Sequence, residues 1–127
     1  MKKKIRILVL DDDKTILTAF SCLMQSIAHD YEVEFFGSPQ KALQELTARP
    51  DEFDVVMTDI RMPGMDGLAF AESVRVVLPN VAIIFMTAYA CEDFSKKVTK
   101  FKNASYLEKP FHLETILKDT VPKLIGD

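Results

Sequence analysis

A chain of 127 residues with 48% hydrophobic content has the size of one domain and enough apolar material to build a core without disulfide or metal staples. A net charge of −3, with no basic face and no reading element, argues against a direct nucleic-acid binder. No stretch approaches the ~20 apolar residues that span a bilayer. Cys22 and Cys91 have no metal-ligand spacing and form no framework, so they read as reduced thiols in a cytoplasmic protein.

Lys2, Lys3 and Lys4 could open an export signal, but the apolar run Ile5 to Leu10 is short and stops at Asp11-Asp12-Asp13, which makes it a buried strand. Ile16, Leu17, Phe20, Leu23, Met24 and Ile27 then recur at helical spacing. Tyr31 to Phe36 alternates apolar and acidic residues, as a half-exposed strand does. After Gly37, Ser38 is placed to cap and Pro39 to open a helix running to about Arg49.

The third strand is expected over Phe53–Thr58, ending at Asp59. Arg61-Met62-Pro63-Gly64-Met65-Asp66-Gly67 is turn-rich, and a helix carrying Leu68, Phe70, Ala71, Val74 and Leu78 follows until Pro79-Asn80 breaks it. Val81 to Met86 is the most apolar run and is expected to be central, with Thr87 at its end. Glu92 to Lys102 is the weakest helix, a narrow stripe of Phe94, Val98 and Phe101 among lysines. Tyr106-Leu107-Glu108 forms a short last strand, followed by Lys109-Pro110 and a final helix through Ile116, Leu117 and Val121, which Pro122 should kink or end. Five strand–helix repeats joined by short connections require right-handed crossovers, hence an α/β fold: a doubly wound parallel sheet covered on both faces.

Ligands of such sheets bind beyond the carboxyl ends of the strands, where strand order reverses. Asp11 and Asp12 end strand one, Asp59 strand three, Thr87 strand four and Lys109 strand five, whereas strand two ends in Phe36-Gly37 with nothing reactive. Converging carboxylates repel one another, and a cation relieves that repulsion. Hard oxygens with no His or Cys nearby in sequence suit Mg²⁺ or Mn²⁺ and not zinc. A cation bridging carboxylate and phosphoryl oxygens, a Thr hydroxyl and a Lys ammonium together meet the needs of phosphoryl transfer to a carboxylate. Singly, each residue has a plainer reading: Asp11-Asp12-Asp13 can cap the next helix, with Asp13 doing only that, Thr87 can end a strand and Lys109 can be a solvated charge. Their shared placement on one sheet edge favours the chemical reading.

ILVLDDD, VVMTDIRMPGMDGL, IIFMTAYA and YLEKPF, in that order, resemble the receiver domains of two-component response regulators. The resemblance covers essentially the whole chain, residues 1–127, with no effector domain expected on it. It implies a flavodoxin-like, chemotaxis-regulator-like fold with strand order 2-1-3-4-5 and five helices. It also implies that Asp59 is the phosphoacceptor, that Asp12 binds Mg²⁺ directly and Asp11 through water, and that the Arg61 backbone carbonyl adds a further metal contact. Thr87 and Lys109 would hold the phosphoryl oxygens, and the Lys109–Pro110 peptide would be cis.

Thr87 and Tyr106 would be the switch pair, moving the face built by the fourth helix, fifth strand and fifth helix, with the lysines from Lys96 to Lys102 forming part of that face. Arg61 and Tyr89 flank the site, and in the family these positions tune phosphoryl lifetime. The implied partners are a sensor histidine kinase or phosphotransfer protein and an output domain or protein, with room for a homodimer on phosphorylation. Such a domain acts on itself and not as an enzyme on a separate substrate. Lys102-Asn103 departs from the family's Gly-Ala pair at the end of the fourth helix, although Asn tolerates a left-handed backbone and can keep the turn.

Two other functions compete. LVLDDDKT also fits the nucleophile motif of haloacid-dehalogenase-like phosphatases, with Asp11 as nucleophile, Asp13 as acid/base, Thr15 behind and Thr87 as a second motif. That reading needs a late pair of acids ending a strand, which Glu114, Asp119 and Asp127 do not supply, and it leaves Asp59 unused. A receiver-like module without phosphorylation usually lacks an acid or the Lys, and both are present here.

Overall fold

The structure is a computed structural model that describes residues 4–11, 18, 22, 30–60, 66–87, 92–108 and 121–125. Five strands, β1 (Ile5–Leu10), β2 (Tyr31–Phe36), β3 (Val55–Asp59), β4 (Ala82–Thr87) and β5 (Ala104–Glu108), form one parallel sheet in the order β2-β1-β3-β4-β5. The described helices are α1 (Pro39–Ala48), α2 (Gly67–Val77), α3 (Glu92–Thr99) and α4 (Val121–Ile125). Of the helix expected around Ile16–Ile27, only Thr18 and Cys22 are among the described residues, and both are helical. The two-faced α/β architecture and its strand order match the expectation.

Several boundaries differ, among them β4, which runs Ala82–Thr87, and α3, which ends at Thr99. β3 begins at Val55 and includes Asp59. The Asp54 amide donates to the Arg6 carbonyl at 2.8 Å, and its side chain accepts from the Arg6 amide at 2.9 Å, so this residue docks on β1 partly through its carboxylate and not as a regular ladder position. β5 begins at Ala104, two residues earlier than the apolar pattern suggests, because Ala104 pairs with Ile83. β4 is fully buried but lies beside the middle strand, which is β3. Helical backbone runs through Pro122 in α4, so Pro122 does not end helical structure there; the segment leading into it is outside the described residues.

Side-chain alternation sends two apolar sets to opposite faces of the sheet. Leu8, Leu10, Val56, Ile83 and Phe85 pack with Ala42 and Leu46 of α1, Phe70 and Val74 of α2 and Val98 of α3. Ile7, Val9, Val55, Met57, Ile84 and Met86 pack with Val121 of α4. α1 starts as its sequence dictates, with the Lys41 amide donating to Ser38 Oγ at 3.5 Å and Pro39 at the first turn.

Arg75, on the last turn of α2, ties two loops to that helix. Its guanidinium donates to the carbonyls of Leu78 (3.3 Å), Val81 (2.5 Å) and Lys102. Burial pulls its pKa down, and its Nε is buried without a partner among the described residues. Beside it Asn103 takes φ 57°, donates from Nδ2 to the Asn80 carbonyl at 3.2 Å and accepts from the Ile83 amide at 3.1 Å. Asn thus keeps the left-handed turn after α3, as anticipated. Arg75→Met preserves most of the stem but strands three carbonyls, so it should cost about 2 kcal/mol. Urea denaturation checks the loss, and faster amide exchange at Phe101–Asn103 checks that the turn is what loosens.

At the same, amino-terminal end of the sheet, Arg6 contacts Glu32, Glu34 and Glu52, and Arg49 contacts Glu34, Glu45 and Glu52. Both guanidinium groups lie over the Phe53 ring, at 6.0 and 5.0 Å. Hydrogen bonds from Arg49, assisted by the charges of Arg49 and Arg6 and opposed by burial, hold the Glu34 carboxyl below its ordinary 4.5. A depressed carboxylate stabilises the fold fully above its unfolded-state value and loses that contribution as pH falls through the lower folded-state value. The stability gap between the wild type and Glu34→Gln should therefore be constant above pH 4.5 and close on further acidification. The gap is small, since solvent screens such exposed pairs, and urea midpoints at pH 6 and pH 3 measure it.

Candidate functional site

The parallel register decides which strand ends meet. Leu10 pairs with Thr58, so Asp11 and Asp59 stand one step past a matched pair on adjacent strands, a spacing of about 4.8 Å between backbones. Asp59 pairs with Met86, which puts Thr87 one step beyond it on β4. Asp11 has no exposed surface, Asp59 is half-buried and Thr87 is 8% exposed. Asp11, Asp59 and Thr87 therefore share one edge of the sheet, as expected. Asp12, Arg61, Tyr89, Lys109 and the Lys109–Pro110 peptide lie outside the described residues.

Asp59 is held from several sides. The Ile60 amide donates to Asp59 Oδ1 at 2.7 Å and to the Met86 carbonyl at 3.2 Å. The buried Thr58 hydroxyl donates to the Asp59 carbonyl at 2.9 Å. Gly67, the first residue of α2, donates its amide to the Ile60 carbonyl at 2.6 Å and ties the start of α2 to the end of β3. That approach leaves no room for a side chain: a Cβ at Gly67 would overlap the Asp59 carbonyl oxygen and lie 2.8 Å from Ile60 Cα. Asp66 caps the same helix, accepting from the Ala69 amide at 2.8 Å.

Neither role was drawn from the sequence. An Asp-Gly pair before an apolar helix is a signal that could have found the cap. The close approach of Gly67 could not be found that way, because it depends on where α2 lands on β3.

The donor chemistry at this edge suits a small hard cation. Asp11 and Asp59 offer carboxylate oxygens, and a carboxylate without solvent, as Asp11 is, must be compensated by hydrogen bonds or positive charge. Among the described residues no third metal-ligating side chain joins the pair; Asp12, the expected third acid, is not among them.

Tyr106 is half-buried on β5, directly opposite Phe85 in register. Phe85 in turn packs against Phe101, ring centroids 5.5 Å apart. Alternation along β4 gives Phe85 and Thr87 the same parity, so the proposed switch pair shares one face of the sheet with Phe101. The lysines divide: Lys96, Lys97, Lys100 and Lys102 are all exposed, but Lys97 and Lys100 line a groove shared with Leu68 and Glu72 of α2.

Known proteins resemble this chain in sequence and in fold. The transcriptional regulatory protein ZraR of Escherichia coli K12 is 31% identical over 122 residues, 96% of this chain and 26% of the relative. The two-component response regulator ARR10 of Arabidopsis thaliana is 32% identical over 111 residues, 87% of this chain and 20% of the relative. The chain thus spans a fifth to a quarter of these relatives.

The chemotaxis protein CheY4 of Vibrio cholerae superposes with a TM-score of 0.82 at 27% identity, covering 96% of this chain and 99% of that one. The receiver domain of sensor histidine kinase PA1611 from Pseudomonas aeruginosa, whose structure has magnesium coordinated in the active-site cleft, shares the fold with a TM-score of 0.79 at 24% identity, over 98% and 100% of the two chains. The profile of the response regulator receiver domain matches residues 7–120. With the sheet order, the acidic strand ends and a family match over nearly its whole length, this chain belongs to the response regulator receiver domain family.

Proposed function

We propose that Asp59 accepts a phosphoryl group from a phosphohistidine of a sensor kinase or phosphotransfer protein. An Asp59 carboxylate oxygen bonds to phosphorus as the phosphorus–nitrogen bond of the donor breaks, leaving an acyl phosphate; water later cleaves it. The single observation that carries this reading is the juxtaposition of Asp11 and Asp59 at adjacent strand ends, one carboxylate pinned through Oδ1 by the Ile60 amide.

Asp11, Asp12, Asp59 and the Arg61 carbonyl would hold Mg²⁺ or Mn²⁺, which when bound supplies positive charge to the phosphoryl oxygens. Thr87 and Lys109 add a hydroxyl and an ammonium to the same oxygens. Thr87 moving toward the phosphoryl group frees space for Tyr106, a two-packing equilibrium that phosphorylation biases. The output is read by a partner domain or protein.

Acetyl phosphate with Mg²⁺ tests the reading: mass mapping should place the added phosphoryl group on Asp59, and label on Asp11 instead would support the phosphatase alternative. Arg61→Ala and Tyr89→Ala should each change the decay rate of the acyl phosphate several-fold. Identical decay in both variants and the wild type would remove their lifetime-tuning role.

A further inference from the structure

We infer that the groove between α2 and α3 is a docking surface for an amphipathic acidic segment of a partner protein, one that presents an apolar anchor flanked by carboxylates. The groove is open, about 470 Å³, and lined by Leu68, Glu72, Lys97, Lys100 and Phe101. Leu68 and Phe101 are half-buried and provide an apolar floor, while Lys97 and Lys100 stand exposed along one rim. This inference does not depend on which aspartate is phosphorylated.

Charge complementarity selects the occupant. The chain is acidic overall, at −3; Lys4, Arg6 and Arg49 are engaged with Glu32, Glu34, Glu45 and Glu52, and the exposed Lys41, Lys102 and Lys123 line no part of this groove. Among the described residues Lys97 and Lys100 form no ion pair, not even with Glu72 across the groove. Two unspent ammonium groups beside an apolar floor reward a ligand that buries an aromatic or aliphatic side chain and sets carboxylates on the lysine rim. Glu72 on the opposite wall repels acid there, so the occupant is held in one orientation. Phe101 also rests on Phe85, the register partner of Tyr106, so an anchor pressed on Phe101 contacts the packing that carries the proposed switch.

The test is selection of random 12-residue displayed peptides on the chain, with Lys97→Glu/Lys100→Glu as the counter-target. A synthetic representative of the enriched set is then titrated into the isotope-labelled protein. Expected are net-acidic peptides with an apolar anchor, saturable amide shifts centred on Leu68, Lys97, Lys100 and Phe101, at least tenfold weaker binding to the double variant, and tighter binding to Glu72→Gln. The variants alter exposed side chains, and an unchanged melting temperature confirms that they fold. Enrichment of neutral or basic peptides, equal binding to the double variant, or shifts centred on another face overturns the proposal. So does reproduction of the same shifts by inorganic phosphate, which would mark a simple anion site.

Discussion

Asp59→Asn is expected to lose labelling by acetyl phosphate by at least on the order of a thousandfold, because an amide oxygen cannot replace the attacking carboxylate and only residual chemistry survives removal of a nucleophile. The fold should not suffer. The Ile60 amide donates to Asp59 Oδ1, and Asn offers a carbonyl oxygen at the same place. Removing one of two neighbouring negative charges also relieves repulsion with Asp11, so the melting temperature should stay level or rise.

Asp11→Asn separates roles further. If Asp11 holds the metal through water, as proposed, this change should weaken Mg²⁺ affinity by about 10–100-fold while the label stays on the proposed acceptor, Asp59. Phosphorylation kinetics at several Mg²⁺ concentrations, with mass mapping, distinguish the two variants. Wild-type-like labelling of Asp59→Asn would exclude Asp59 as acceptor.

Gly67→Ala should be the most damaging single-methyl change at this edge. The added Cβ meets backbone, the Asp59 carbonyl oxygen and Ile60 Cα, and backbone cannot swing aside as a flexible side chain can. Either α2 shifts away from β3, breaking the Gly67–Ile60 hydrogen bond of 2.6 Å, or Asp59 moves. Overpacking of this kind costs about 3 kcal/mol, or roughly 10 °C in Tm for a domain of this size. The same displacement should slow phosphorylation of Asp59, since small misplacements of a reacting group are expensive. Gly37→Ala is the control: nothing lies within 4 Å of a Cβ there, so its Tm should barely move. Equal melting temperatures for the two variants would show that the contact at Gly67 is relaxed at little cost.

The order of strands and helices, the capped start of α1 and the concentration of acids at strand ends were all legible from residue type and spacing. Each depends on local rules: apolar periodicity, turn residues, and Ser38-Pro39 as a helix start. Thr87 stood out through its place at a strand end beside the acids, but Tyr106 and its pairing with Thr87 came from resemblance alone, because a Tyr in a strand is ordinary by itself. Their shared face became visible through the β4–β5 register, in which Tyr106 opposes Phe85.

Tertiary packing set the rest. Nothing in the sequence singles out Arg75, yet it reaches the carbonyls of Val81 and Lys102 because α2 passes close to the turn after α3. Gly67 reads as one more residue of a turn-rich segment, yet its missing side chain is what lets α2 begin against Asp59. Lys97 and Lys100 read as a uniform basic helix face, and the rotation of α3 against α2 puts them over a shared groove. Local propensity acts over a few residues, so it can name the elements and the chemistry at their ends. Close approaches between elements distant in the chain arise from packing a whole core at once, and no short window of residues encodes them.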